Sequence, residues 1–68
     1  MRSTLTVHEL EAFLAVAELR NFRLAAERVH VSQPALSRSV QSAEHKLDAR
    51  LFDRNTRRVE LTREGEEL

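Results

Sequence analysis

Apolar residues recur at three- and four-residue steps near the start of the chain. This spacing predicts an amphipathic helix whose apolar stripe faces the core. The stripe consists of Val7, Leu10, Phe13, Leu14 and Ala17. Thr6 and Glu9 have the Thr-x-x-Glu spacing of a capping box, which marks the start of a helix. We therefore predict a first helix over about Val7 to Leu19.

Two further helical segments follow, separated by a short connection. Asn21 suits a cap or turn before a helix from about Arg23 to Val29, and Ser32 is a good N-cap for a third helix that ends near Leu47. Pro34 falls in the first turn of that helix, where its missing N–H costs nothing. The predicted inward positions are Phe22, Ala25, Ala26, Val29, Leu36, Val40, Ala43 and Leu47. Two helices joined by so short a turn predict a helix-turn-helix over about residues 21–40.

The apolar period changes after Asp48. Short apolar pieces at 51–52 and 59–61 flank a polar stretch, which predicts a β-hairpin, or wing, over about residues 51–61. Thr62 suits the cap of a last helix that begins at 63–68. The predicted fold class is mainly α, a winged helix-turn-helix over 1–62 with a three-helix core, a small hairpin wing and the start of a linker helix.

Composition narrows the class of protein further. With 68 residues and no cysteine, the chain has room for one small domain held by its core, without a disulfide or a Cys-ligated zinc. No apolar run approaches the roughly 20 residues that span a bilayer, and the N-terminus lacks the features of a signal peptide. We expect a cytoplasmic protein that does not contact a membrane.

The formal net charge is zero, but the charges are unevenly distributed. Residues 32–58 carry a net charge of +3 and residues 59–68 a net charge of −3. A DNA surface would experience the local field of the basic part. The alternative interpretation, that these charges only solvate helix faces, remains open.

The third helix and the wing carry the candidate chemistry. Helix residues can read base edges in the major groove, where Gln suits adenine, Arg suits guanine, and small apolar side chains suit the thymine methyl group. The candidates on the third helix are Ser32, Gln33, Pro34, Ala35, Ser37, Arg38 and Gln41. The candidates for phosphate contact on the wing are Arg54, Asn55, Arg57 and Arg58. By residue type and spacing alone, alternatives remain: Ser32 as a structural cap, Gln33 and Arg38 as solvated surface, and the wing as a solubilising loop.

Three blocks of the sequence together resemble LysR-type transcriptional regulators of bacteria. Val31-Ser32-Gln33-Pro34-Ala35-Leu36-Ser37-Arg38 resembles their recognition-helix motif. Leu51-Phe52-Asp53-Arg54 with Arg58-Val59-Glu60-Leu61-Thr62-Arg63-Glu64-Gly65 resembles their wing and the start of their linker helix. Ala25-Ala26-Glu27-Arg28-Val29-His30 is similar to their second helix.

The resemblance implies operator binding to double-stranded DNA at the N-terminus of a longer chain. It implies a homodimer or tetramer, association with the nucleoid when bound to DNA, and a small-molecule effector in a C-terminal domain, with no cofactor in these 68 residues. The sequence departs from the family pattern at Arg20, Ala43 and Asp48. It also departs at Arg23-Leu24, where the family often has Thr-Arg. Asp48 stands in place of a customary glycine, at a position that we expect to need positive φ.

Two other functional classes, a protein-interaction domain and an enzyme, lead to different expectations. A small helical protein-interaction domain would show no DNA affinity, whereas a DNA-binding module would lose affinity steeply with salt. An enzyme is disfavoured, because the histidines lack metal-pair spacing and no cysteine nucleophile exists. Glu66 and Glu67 are adjacent on a helix, so they point apart and make no acid/base pair. We therefore predict neither catalytic residues nor metal ligands.

Overall fold

Four helices and one hairpin lie within the described residues. A computed structural model describes residues 5–53 and 59–67. The elements run in the order α1 (Val7–Leu19), α2 (Phe22–Arg28), α3 (Gln33–Leu47), β1 (Phe52–Asp53), β2 (Glu60–Leu61) and α4 (Arg63–Glu67). The predicted fold class is confirmed, and α2 begins and ends one residue earlier than the pattern predicted.

Side chains cap the helix starts as the sequence indicated. The hydroxyl of Thr6 accepts a hydrogen bond from the backbone N–H of Glu9 over 3.1 Å, and the Glu9 carboxylate accepts one from Thr6 N over 2.8 Å. Asn21 and Ser32 each accept a hydrogen bond from the backbone N–H three residues further along, over 2.9 Å and 3.2 Å. These bonds satisfy donors that a helix start leaves unpaired, so they fix where α1, α2 and α3 begin.

The buried face of α1 differs from the predicted stripe. Val7, Leu10 and Leu14 are 70%, 44% and 53% exposed. The residues of α1 that are buried are Glu9, Ala12, Phe13, Ala15 and Val16. The stripe prediction was therefore wrong except at Phe13 and the half-buried Ala17, because α1 is apolar on two sides and its alanine side lets α2 and α3 approach closely.

The predicted inward positions of α2 and α3 are confirmed. Five are buried, namely Ala25, Ala26, Leu36, Val40 and Ala43, and three are half-buried, namely Phe22, Val29 and Leu47. The ring of Phe52 lies 5.5 Å from that of Phe13 and 6.2 Å from that of Phe22, measured between centroids. Strand β1 is thereby anchored against α1 and the first turn of α2.

The two strands form an antiparallel hairpin with Phe52 opposite Leu61 and Asp53 opposite Glu60. This pairing confirms the predicted strands of the wing. Thr62 follows β2, and its hydroxyl accepts a hydrogen bond from Gly65 N over 3.1 Å, which confirms it as the cap of α4. The backbone N–H of Thr62 also donates to the carbonyl oxygen of Leu51 over 2.9 Å, which ties the start of α4 to the residue before β1.

Candidate nucleic-acid interface

The predicted base-reading residues share the outer surface of α3. Ser32, Gln33, Pro34, Arg38 and Gln41 are exposed, and Ala35 and Ser37 are half-buried. The opposite side of the same helix is buried at Leu36, Val40 and Ala43. Within the described residues, the side chains of Gln33, Arg38 and Gln41 form no hydrogen bond or ion pair. The helix therefore presents one amide–guanidinium face to solvent while its other face is fixed in the core.

The four wing candidates cannot be placed in the same way. Arg54, Asn55, Arg57 and Arg58 lie outside the described residues. The strands that precede and follow them in the sequence are paired, Phe52 with Leu61 and Asp53 with Glu60.

A buried carboxylate fixes α3 against α1. Glu9 accepts hydrogen bonds from Ser42 Oγ over 2.6 Å and from Lys46 Nζ over 2.9 Å, in addition to the bond from Thr6 N. These bonds, led by that from Ser42, lower the pKa of Glu9 from 4.5 to about 2, although partial desolvation opposes the shift. Sequence reasoning assigned Glu9 to the helix cap alone and missed its contacts with α3.

A second carboxylate connects α3 to the wing. Glu44 Oε2 accepts hydrogen bonds from the backbone N–H groups of Leu51 and Phe52, over 2.8 Å and 3.3 Å. Arg50 Nε lies 3.9 Å from the same oxygen. A carboxylate on the inner side of α3 thus holds the start of β1, a contact that sequence reasoning did not single out.

Three of the described residues have a left-handed backbone conformation. Arg20, His30 and Asp48 have φ values of 53°, 64° and 55°. Arg20 and Asp48 are the C-caps of α1 and α3. The expectation that position 48 needs positive φ is confirmed, and this conformation costs less for glycine than for other residues.

The family model described as "Bacterial regulatory helix-turn-helix protein, lysR family" matches residues 7–66. This match includes α1, α2, α3 and the wing strands. The chain belongs to the LysR family. The function that the comparisons support for members of this family is DNA-binding transcription regulation.

Similar proteins include a transcriptional regulator and two proteins whose structures were solved in complex with DNA. The chain is 48% identical over 59 residues to the transcriptional regulator TfdT of Cupriavidus pinatubonensis, covering 87% of this chain and 26% of TfdT. It matches DarR of Vibrio fischeri in complex with DNA with a TM-score of 0.90 and 38% identity, over 96% of this chain and 22% of that one. It matches the BenM DNA-binding domain in complex with catB site 1 DNA with a TM-score of 0.87 and 37% identity. This match covers 91% of this chain and 69% of that one.

This LysR-family chain spans about a quarter of the length of the regulator TfdT. Within the described parts of the chain, no helix has the length and apolar character needed to cross a membrane. The same residues contain no group of three or more His, Cys, Asp or Glu side chains placed to hold a metal ion.

Proposed function

We propose that this chain recognises operator DNA for a bacterial LysR-type regulator by inserting α3 into the major groove of double-stranded DNA. The observation that carries the proposal is the two-sided character of α3. Its inner side is buried at Leu36, Val40 and Ala43, and its outer side presents Gln33, Arg38 and Gln41 with side chains that have no partner among the described residues. A helix fits the major groove, and these side chains match the hydrogen-bonding groups of base edges.

The roles on α3 follow from residue chemistry and position. Arg38 suits bidentate bonding to guanine, and Gln33 and Gln41 suit adenine. Pro34 and Ala35 lie in the first turn and offer apolar surface to a thymine methyl group. The hydroxyl of Ser32 already accepts the capping bond, and its proton is available to a phosphate or base, as is that of Ser37.

The wing supplies affinity rather than sequence readout in this proposal. Arg54, Asn55, Arg57 and Arg58 would contact phosphates, which orient a protein on DNA without reporting sequence. The DNA-binding unit comprises residues 1–62, and residues 63–68 begin the linker helix. The hydrogen bonds from Leu51 N and Phe52 N to Glu44 support this arrangement, because they couple the start of the wing to α3.

The remaining properties concern the whole regulator. We infer that it is cytoplasmic, forms a homodimer or tetramer, and binds a small-molecule effector in a domain outside these 68 residues, which need no cofactor themselves. The length of TfdT relative to this chain leaves room for such a domain. Half-sites read by a dimer would lie about one helical turn or a multiple apart.

Selection from a randomised DNA pool tests the proposed function directly. We expect retained sequences to share a short motif, and Arg38→Ala to weaken binding and to relax preference at one position by about 1–3 kcal/mol. Arg63→Ala on α4 is a matched control that removes an arginine outside α3 and should leave the motif unchanged. Absence of enrichment, or an identical motif from Arg38→Ala, would contradict the proposal.

The wing is tested by salt dependence. Arg57→Ala and Arg58→Ala should each weaken binding to all sequences about equally and flatten the log–log salt slope by roughly 0.9. An unchanged slope together with an altered sequence preference would show that the wing reads bases.

A further inference from the structure

The strongest unassigned feature is an exposed ion pair on α2. The guanidinium of Arg23 lies 3.2 Å from the carboxylate of Glu27, one helical turn away, and the two side chains are 64% and 66% exposed. Arg23 stands where the family resemblance leads us to expect threonine, and the proposed DNA contacts on α3 and the wing do not include it.

Local energetics do not explain why an arginine occupies this position. Arg23 is the second residue of α2, whose first turn contains no acidic residue. A cation near a helix N-terminus opposes the helix dipole, and an Arg that precedes its Glu by four residues is in the less favourable order for such a pair. The cap of α2 is already supplied by Asn21. Helix stability therefore gains little from Arg23.

The position of Arg23 suits contact with DNA better than it suits stabilisation of α2. In helix-turn-helix proteins the first helix of the motif crosses the DNA backbone, and α2 is that helix here. The residue before Arg23, Phe22, packs its ring against Phe52 in β1. The exposed Arg23 therefore belongs to the end of α2 that lies beside the base of the wing.

We propose that Arg23 contacts a DNA phosphate and that Glu27 competes with the phosphate for its guanidinium group. This inference rests on the proposed DNA-binding function. In free protein the guanidinium bonds Glu27, and on DNA it exchanges this exposed partner for a phosphate. Glu27 thereby lowers affinity for every DNA sequence equally, which limits non-specific binding.

The test uses a fluorescently labelled DNA duplex of mixed sequence, titrated with the chain at several salt concentrations. Arg23→Gln should weaken binding roughly fivefold to tenfold at about 0.1 M salt and flatten the log–log slope by roughly 0.9, the value for one lost phosphate contact. Its thermal unfolding midpoint should not fall, whereas a purely structural ion pair would lower it.

Glu27→Gln should bind more tightly than wild type with an unchanged fold. The control is Glu67→Gln, which makes the same charge change in another exposed Arg–Glu pair of the same spacing, Arg63–Glu67 on α4. Equal gains from Glu27→Gln and Glu67→Gln would reduce the effect to net charge and overturn the inference, as would an unchanged salt slope in Arg23→Gln.

Arg38→Ala in the same titrations distinguishes failure of the proposed role of Arg23 from failure of the proposed DNA-binding function. If wild type binds DNA and Arg38→Ala weakens it while Arg23→Gln does not, only the role of Arg23 fails. If wild type itself shows no salt-dependent binding, the proposed function fails and this inference fails with it.

Discussion

Lys46 on α3 donates a hydrogen bond to Glu9 on α1 over 2.9 Å, across 37 residues of sequence. Ser42, one turn earlier on α3, donates to the other carboxylate oxygen. Both helices also contribute apolar side chains to the core, among them Val16 and Val40, and the burial of such side chains is favourable but not directional. The Glu9–Lys46 pair therefore helps to fix the rotation and height of α3, and with it the direction of the proposed base-reading face.

Acid should weaken this contact in a defined range. Because the pKa of Glu9 falls from 4.5 to about 2 on folding, its contribution to stability is fully present above pH 4.5 and is lost as the pH falls towards 2. We expect the melting temperature of wild type to fall more steeply over this range than that of Glu9→Gln. Glu11→Gln, which alters an exposed carboxylate on the same helix, should keep the wild-type profile. Parallel curves for wild type and Glu9→Gln would contradict the assignment.

Glu44 should be required for attachment of the wing. Glu44→Ala leaves the buried N–H groups of Leu51 and Phe52 without their acceptor, a loss that typically costs about 1–3 kcal/mol. Glu44→Gln keeps an acceptor oxygen and should cost less. Urea denaturation measures both variants, and amide exchange at Leu51 should accelerate in Glu44→Ala. Wild-type stability in both variants would show that these bonds contribute nothing.

Replacement of Asp48 by glycine should stabilise the fold. Asp48 ends α3 with φ of 55°, a conformation that glycine adopts without the penalty imposed by a Cβ atom. We expect Asp48→Gly to raise the free energy of unfolding by about 1 kcal/mol in urea melts. Ala49→Gly is the matched control, because Ala49 does not have positive φ, and it should not stabilise. A decrease for Asp48→Gly would mean that its side chain makes a compensating contribution.

Gly65 should not tolerate a side chain. A Cβ atom at this position would overlap the carbonyl oxygen of Leu51 and lie 2.9 Å from Cδ2 of Leu61. The Leu51 carbonyl is fixed, since it accepts a hydrogen bond from Thr62 N over 2.9 Å. We expect Gly65→Ala to destabilise the chain by about 1–3 kcal/mol through overpacking. Calorimetry checks this prediction, and a melting temperature equal to wild type would show that α4 can shift at no cost.

The 68-residue chain should be monomeric in dilute solution. The large apolar side chains exposed on α1 are those of Val7, Leu10 and Leu14. The surface area of three side chains is small beside the roughly 1,200–2,000 Å² that a stable interface buries. Sedimentation at micromolar concentration should show one species of monomer mass. A stable dimer would contradict this expectation, and its loss in Leu14→Glu would then locate the interface on α1.

The sequence alone determined the features that depend on neighbouring residues. The caps at Thr6, Asn21 and Ser32 were predictable because each bonds a backbone group three residues away. The change of apolar period after Asp48 predicted the hairpin for the same local reason. The recognition motif placed the candidate DNA contacts on α3, and their assignment to bases and phosphates stays a prediction.

Tertiary structure decided the features that join distant residues. The apolar pattern of α1 could not distinguish its buried side from its exposed side, because Leu10 and Leu14 satisfy a helical period as well as Ala12 and Val16 do. The partners of Glu9 lie 33 and 37 residues away on α3, and nothing within one helix specifies them. Packing of α2 and α3 against the small side chains of α1 sets the inward face, and that packing brings the Glu9 carboxylate to Ser42 and Lys46.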